Sequence, residues 1–178
     1  TAFRSPSFAA LFSGIRETFG KKSRAVRWYF LRHAKTEKVS ASGKDFDREL
    51  APRGLRQCAS LNEYLKNLSI ASVVCSSALR TRQTCEFSMK GFGVETVYLD
   101  SLYLADLSEW KSILENHGKQ DTLFIGHNEG ISETVSWLTE QEITLPTAGL
   151  VTVEFLGSDL SLLAPGTALW KGYFRPED

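Results

Sequence analysis

From Ala25 onward, short apolar runs alternate with longer stretches in which apolar side chains return every third or fourth position. The first pattern predicts buried strands, and the second predicts helices with one face turned inward. Strands are expected at Val26–Leu31, Ser72–Cys75, Val94–Leu99 and Thr122–Ile125. Pro52 opens a helix at the first position, where its missing N–H leaves no helix bond unmade, and Leu55, Cys58, Leu61, Leu65 and Leu68 form the inward stripe. A second helix runs from Leu79 to Met89, before Gly91 and Gly93 break the chain. A third covers Leu107–His117 and stops at Gly118, a usual C-terminal signal, and a fourth passes through Ile131, Val135 and Leu138. Two or three strands finish the chain, at Gly149–Leu156 and Ala168–Phe174 with Leu160–Leu163 as the optional third, and Gly157-Ser158-Asp159 reads as a hairpin turn. Repeated strand–helix units with short connections predict an α/β fold, a three-layer α/β/α sandwich with a mostly parallel sheet, to which the closing hairpin adds an antiparallel strand.

Residues 1–24 follow a different pattern. Phe8, Leu11, Phe12, Ile15 and Phe19 recur at helical spacing among Arg4, Arg16, Lys21, Lys22 and Arg24, with Glu17 the one acid. An N-terminal amphipathic basic segment is therefore expected at 1–24, followed by a single domain at 25–178. Such a segment docks on its own domain, on a partner or on a membrane surface, and it also has the composition of an organelle-targeting peptide.

Composition narrows the classes. The formal charge of the 178 residues is zero, and no basic block or arginine–aromatic stripe indicates a nucleic-acid binder. No apolar run reaches the roughly 18–20 residues that would span a bilayer. The three cysteines, Cys58, Cys75 and Cys85, lack zinc-type spacing and read as reduced core residues. A cytoplasmic protein is expected, with organelle targeting through residues 1–24 as the alternative.

The chemistry lies where the apolar runs end. Trp28-Tyr29-Phe30-Leu31 is followed by Arg32-His33, Val73-Val74-Cys75-Ser76 leads to Arg80, and Thr122-Leu123-Phe124-Ile125-Gly126 is followed by His127. Ligand sites of open parallel sheets form at the carboxyl ends of strands, so neighbouring placement of these runs would gather two imidazoles and two guanidiniums in one crevice. That set suits a dianionic phosphoryl group, since guanidinium grips phosphate bidentately and a neutral imidazole is a nucleophile. Arg80 also falls where a helix begins and free N–H groups point at an anion. Rival motifs fail. Cys75 and Arg80 enclose four residues where a cysteine phosphatase loop needs five, the H-x-E of His127-Asn128-Glu129 lacks its P-C-x-x-C partner, and G-x-S-x-G is absent. His117 reads as a helix C-terminal residue without a catalytic role.

In this order and spacing the segments resemble the histidine phosphatase superfamily, whose fold is the phosphoglycerate mutase-like one. Its R-H-G/A motif matches Arg32-His33-Ala34, its S-x-x-x-R-x-x-x-T motif matches Ser76, Arg80 and Thr84, and its G-H-N motif matches Gly126-His127-Asn128. The alanine and lysine after His33, the segment Asp47-Arg48-Glu49-Leu50-Ala51-Pro52-Arg53-Gly54 and the late Pro146-Thr147-Ala148-Gly149 are similar to the small SixA-like branch of phosphohistidine phosphatases. The resemblance covers about Ala25 to Pro176. It implies that His33 is the nucleophile, that Arg32 and Arg80 bind phosphoryl oxygens, that His127 donates a further hydrogen bond to them, and that Arg48 adds another cationic contact. It implies a phosphatase with a phosphohistidine intermediate, no cofactor and no metal, acting on a phosphorylated protein or a small phosphate substrate, with protein phosphohistidine as the leading choice. Larger members use a carboxylic acid to protonate an alcohol leaving group, and here neither Asp100 nor Asp106 stands in a recognisable motif. A phosphomonoesterase for small molecules or phosphoserine, and a non-catalytic phosphate-binding or adaptor module, are the alternatives.

Overall fold

A computed structural model describes residues 25–177. The expectations for residues 1–24 lie outside the described residues. The described residues form six strands, β1 (Arg27–Arg32), β2 (Ser72–Ser76), β3 (Thr96–Leu99), β4 (Thr122–Gly126), β5 (Leu150–Phe155) and β6 (Ala168–Phe174). Four α-helices alternate with them: α1 (Pro52–Leu65), α2 (Leu79–Ser88), α3 (Leu107–His117) and α4 (Gly130–Thr139). The strands make one sheet in the order β3-β2-β4-β1-β5-β6. The first four run parallel, β5 pairs antiparallel with β1, and β6 pairs antiparallel with β5.

Both faces of the sheet are covered, which is why its central strands read as continuous apolar runs instead of alternating ones. Successive side chains of β1 point to opposite faces. Trp28 and Phe30 join Phe124, Trp110, Ile113, Ile131, Val135 and Leu138 in the core beneath α3 and α4. Tyr29 and Leu31 join Val73, Cys75, Leu123, Cys58, Leu61, Leu65 and Cys85 beneath α1 and α2. Two helices on each face of a mostly parallel sheet are the α/β/α layers expected from the pattern. The three cysteines are free and buried within the second core.

Three details differ from the sequence reading. Leu55 is 43% exposed and leaves the inward stripe, because α1 is rotated to bury Gly54, Gln57, Cys58, Leu61 and Leu65. The rotation follows from Gly54, whose missing Cβ admits the backbone of Lys35; a Cβ there would sit 2.1 Å from the Lys35 carbonyl oxygen. Leu160–Leu163 is not a strand. Its first three residues form a 3₁₀ turn, capped by Asp159, whose carboxylate accepts from the Ser161 N–H at 2.9 Å. One tight turn puts Leu160 and Leu163 on the same side, and both reach the core, which an extended segment could not arrange. Finally, Gly157-Ser158-Asp159 does not by itself form the hairpin turn. The β5–β6 connection runs from Leu156 to Thr167, closed at its base by the Leu156 N–H bonding the Thr167 carbonyl at 2.9 Å.

Candidate active site

The neighbouring positions of β2, β4 and β1 bring the chemical segments together at one end of the sheet. Arg32 pairs with Gly126 across β1 and β4, and the His33 N–H bonds the Gly126 carbonyl at 3.1 Å. His33 and His127 thus leave adjacent strands at the same level, with ring centroids 5.5 Å apart. Ser76 ends β2 beside them, and Arg80 stands in the first turn of α2. Arg32, His33, Arg80, His127, Leu104, Asn128 and Glu129 line a cleft of about 300 Å³. A larger open groove, lined by Asp106, Lys111, Glu115 and Glu133 among others, lies apart and contains none of these imidazoles or guanidiniums.

Each histidine is held at one nitrogen. His33 Nδ1 lies 2.8 Å from the carbonyl oxygen of Ala34. A carbonyl only accepts, so Nδ1 carries the proton and the Nε2 lone pair is left for chemistry. His127 Nε2 lies 2.9 Å from Ser76 Oγ, and its Nδ1 is buried without a partner. Burial, followed by the charges of Arg80 and Arg32 among others, pushes His33 down to about 4. Burial and then Arg80 push His127 down to about 3. Both rings are neutral near pH 7.

The loop that carries His33 is tied on two sides. The Ala34 N–H donates to Thr84 Oγ1 on α2 at 3.1 Å, and the Lys35 N–H donates to Gln57 Oε1 on α1 at 2.9 Å. The serine and threonine of the S-x-x-x-R-x-x-x-T spelling therefore have separate tasks. Ser76 holds His127, and Thr84 holds the backbone next to His33.

The arginines divide into two kinds. Arg32 donates from Nη1 to the Leu145 carbonyl at 2.8 Å, while its buried Nε has no partner. Arg80, only 3% exposed, donates from Nη1 and Nη2 to Asp45, and its Nε is also buried without a partner. Buried orphan donors on two guanidiniums of one cleft mark where an anion would be satisfied. Arg48 stands a step back. It does not line the cleft, and its nitrogens bond the Glu37 carbonyl at 2.8 Å, Asp45 Oδ1 at 2.9 Å and Thr36 Oγ1 at 2.5 Å. The structure thus gathers Arg32, His33, Arg80 and His127 and places Arg48 in support.

Three lining or bridging residues were missed in the sequence. Asp45 joins Arg80 to Arg48, and Tyr103 Oη donates to Asp45 Oδ2 at 2.8 Å while its ring meets His127 edge-on at 5.4 Å. Glu129 lines the cleft with backbone angles φ 62° and ψ −64°, a conformation an L-residue keeps only when its surroundings impose it. The following Gly130 packs closely on Ala105, where a Cβ would lie 2.0 Å from the carbonyl oxygen. No periodicity marks Asp45 or Glu129, and the one local signal was their place within or beside a motif. Asp100 accepts a short hydrogen bond from Ser77 Oγ, and Asp106 caps α3 by accepting from the Glu109 N–H at 3.0 Å; neither lines the cleft. Among the described residues, no cluster of three or more histidine, cysteine, aspartate or glutamate side chains could hold a metal ion, and no helix is long and apolar enough to cross a membrane.

Comparison with known proteins identifies the family and the fold. The family model of the histidine phosphatase superfamily (branch 1) matches residues 28–122, just over half of the chain. An uncharacterized protein of Mycobacterium leprae (strain TN) is 30% identical over 125 residues, covering 67% of this chain and 75% of that protein. Among solved structures, a candidate phosphohistidine phosphatase SixA from Nakamurella multipartitia superposes with a TM-score of 0.75 at 23% identity, over 85% of this chain and 96% of its own. The protein histidine phosphatase SixA complexed with tungstate superposes with a TM-score of 0.71 at 21% identity, over 84% and 97% of the two chains. With its Arg32-His33 pair, Arg80 and His127 at the carboxyl ends of adjoining strands, the chain belongs to the histidine phosphatase superfamily and is a phosphatase of that family.

Proposed function

We propose that the domain spanning residues 25–178 hydrolyses phosphorylated histidine in proteins through a phosphohistidine intermediate on His33. The observation that carries this reading is the bond from His33 Nδ1 to the Ala34 carbonyl, which leaves a neutral Nε2 facing a cleft lined by two guanidiniums with orphan donors. In the first step the Nε2 lone pair forms a bond to phosphorus as the bond to the leaving nitrogen breaks. The leaving ring, which already carries a proton taken from solvent on its other nitrogen, keeps that electron pair and departs as neutral imidazole. In the second step a water oxygen attacks phosphorus, the His33–phosphorus bond breaks, its electron pair returns to Nε2, and inorganic phosphate leaves with the remaining water proton released. Arg32 and Arg80 stabilise the charge on the transferring oxygens throughout, and His127 donates from Nδ1 to the same group. The arginines supply the positive charge that a metal supplies elsewhere, so we write the reaction without one.

The lack of a buried acid within the cleft supports a nitrogen leaving group, which needs less proton donation than an alkoxide. The names of the SixA neighbours point the same way. One observation favours the alternative, a phosphomonoesterase: Glu129 places a carboxylate at the mouth of the cleft. The deciding experiment sets a phosphohistidine peptide beside para-nitrophenyl phosphate and phosphoserine, in chelator, with His33→Ala as the control. Preference for phosphohistidine that disappears in the variant supports the proposal. Equal or faster turnover of the esters moves the substrate to phosphomonoesters. Equal activity of wild type and His33→Ala would remove the mechanism altogether.

A further inference from the structure

Asp45 begins a 3₁₀ turn, Asp45–Asp47, in which no residue is buried. Its side chain is half-exposed, yet it is bonded on every side. Oδ2 accepts from Arg80 Nη2 at 2.9 Å and from Tyr103 Oη at 2.8 Å, and Oδ1 accepts from Arg48 Nη1 at 2.9 Å. Its backbone carbonyl accepts from Arg80 Nη1 at 2.7 Å. Phe46 meets the Tyr103 ring edge-on at 5.0 Å, and that ring lies 5.7 Å from Arg80 Cζ. The contacts that fasten this polar turn therefore run largely to Arg80 and to the residues around it.

A guanidinium has five N–H donors in a fixed fork. Arg80 gives one from each terminal nitrogen to Asp45, and its buried Nε has no partner. Three donors remain for a ligand in the cleft that Arg80 lines. Held at both terminal nitrogens, the fork has one orientation, which is the condition for gripping a phosphoryl group without reorganisation. The carboxylate has a second effect. It is a fixed negative charge beside the place where a dianion binds, and it weakens the attraction of Arg80 for that dianion.

We infer that Asp45 is a positioning residue for Arg80, aiming the guanidinium at the phosphoryl group while tempering its charge so that inorganic phosphate is released. The inference rests on the reading of this cleft as the phosphoryl-transfer site. Arg48 acts in the scheme by holding Asp45, since its own nitrogens are bonded to Asp45, Thr36 and Glu37.

Two variants of the full chain separate the effects. Asp45→Asn removes the charge and keeps an acceptor for Arg80 Nη2; Asp45→Ala removes both. The readouts are kcat with para-nitrophenyl phosphate and the inhibition constant of inorganic phosphate, which is the product whatever the leaving group. The expected results are an inhibition constant roughly three- to tenfold lower in Asp45→Asn than in wild type, and a kcat in Asp45→Ala about tenfold below that of Asp45→Asn. An inhibition constant in Asp45→Asn equal to or above that of wild type overturns the inference, as does equal kcat in the two variants. If thermal melting shows Asp45→Ala unfolded, the phosphate inhibition of Asp45→Asn alone decides. Wild type that neither turns over the ester nor binds phosphate would overturn the phosphoryl-site reading itself, whereas active wild type with an unaltered Asp45→Asn variant would overturn only the role given to Asp45.

Discussion

Ser76 Oγ and His127 Nε2 lie 2.9 Å apart although 51 positions separate them in the chain. The contact joins the end of β2 to the residue after β4 and holds Nε2 of His127, so that Nδ1 is the ring nitrogen without a protein partner. A serine hydroxyl can either donate to Nε2 or accept from it, and when it donates the proton is on Nδ1, the tautomer that the proposed hydrogen bond to the phosphoryl group requires.

Ser76→Ala should therefore free the ring to change tautomer and rotate. We expect kcat to fall about tenfold through the loss of one oriented donor to the transferring group. Ring ¹⁵N chemical shifts check the cause directly, with a protonated Nδ1 in wild type and a mixture of tautomers in the variant. An unaltered kcat together with unaltered shifts would remove Ser76 from the site.

Both histidines carry a pH signature. Burial holds His33 at about 4 and His127 at about 3, below the ordinary imidazole value near 6.5. Lowering the pH through about 4 puts a proton on His33 and removes its lone pair, so the nucleophile should stay neutral at pH 5.5, where a solvent-exposed histidine is mostly charged. The same shift bears on stability. The unfolded chain binds protons at these sites from about pH 6.5 downward and the folded chain does not, so the stabilisation is complete above 6.5 and is lost as pH falls toward 4. NMR titration of the ring carbons should show both low values, and thermal melts at pH 7.5, 6 and 4.5 should show a falling Tm. Saturating phosphate should flatten that fall, because a bound dianion favours the charged imidazoles. Ring titrations centred near 6.5 would contradict the buried, cationic setting of the cleft.

How much of this was legible in the sequence depended on the range of the interaction. β1 and β4 are buried on both faces and so appear as unbroken apolar runs, and the residues at their carboxyl ends, Arg32-His33 and His127, could be placed at strand ends from that fact alone. Asp45 had no such marker. It sits in an exposed polar stretch, and its partners Arg80 and Tyr103 lie 35 and 58 positions away. Arg48 stood in a recognisable segment, but only the folded chain shows its nitrogens turned to Asp45, Thr36 and Glu37. Leu160–Leu163 misled because Leu160 and Leu162, two apart, fit a short alternating strand while Leu160 and Leu163, three apart, fit one helical turn, and the Asp159 cap that favours the turn shows only in the folded chain. The positive φ of Glu129 and the close packing of Gly130 on Ala105 beside it are likewise features of the folded chain that no local pattern announces.

Thr84 offers the sharpest test of how the nucleophile is held. Its Oγ1 donates to the Arg80 carbonyl at 2.7 Å and accepts from the Ala34 N–H at 3.1 Å, so one hydroxyl links the helix carrying Arg80 to the residue after His33. Valine has nearly the same shape and can do neither. Thr84 and Ala34 are both fully buried, so Thr84→Val leaves the Ala34 N–H without a partner and without water. That should reduce stability by about 1–3 kcal/mol, the usual cost of stranding a buried donor. Because His33 leans on Ala34 through its Nδ1 contact, a shift of this backbone also moves the nucleophile, and kcat should fall about tenfold or more. Thr84→Ser keeps the hydroxyl and should recover most of the kcat while losing some stability to the missing methyl group. Urea unfolding and kcat, measured on both variants, separate the two contributions. A valine variant as active as the serine variant would show that the hydroxyl does not position His33, whatever it does for the fold.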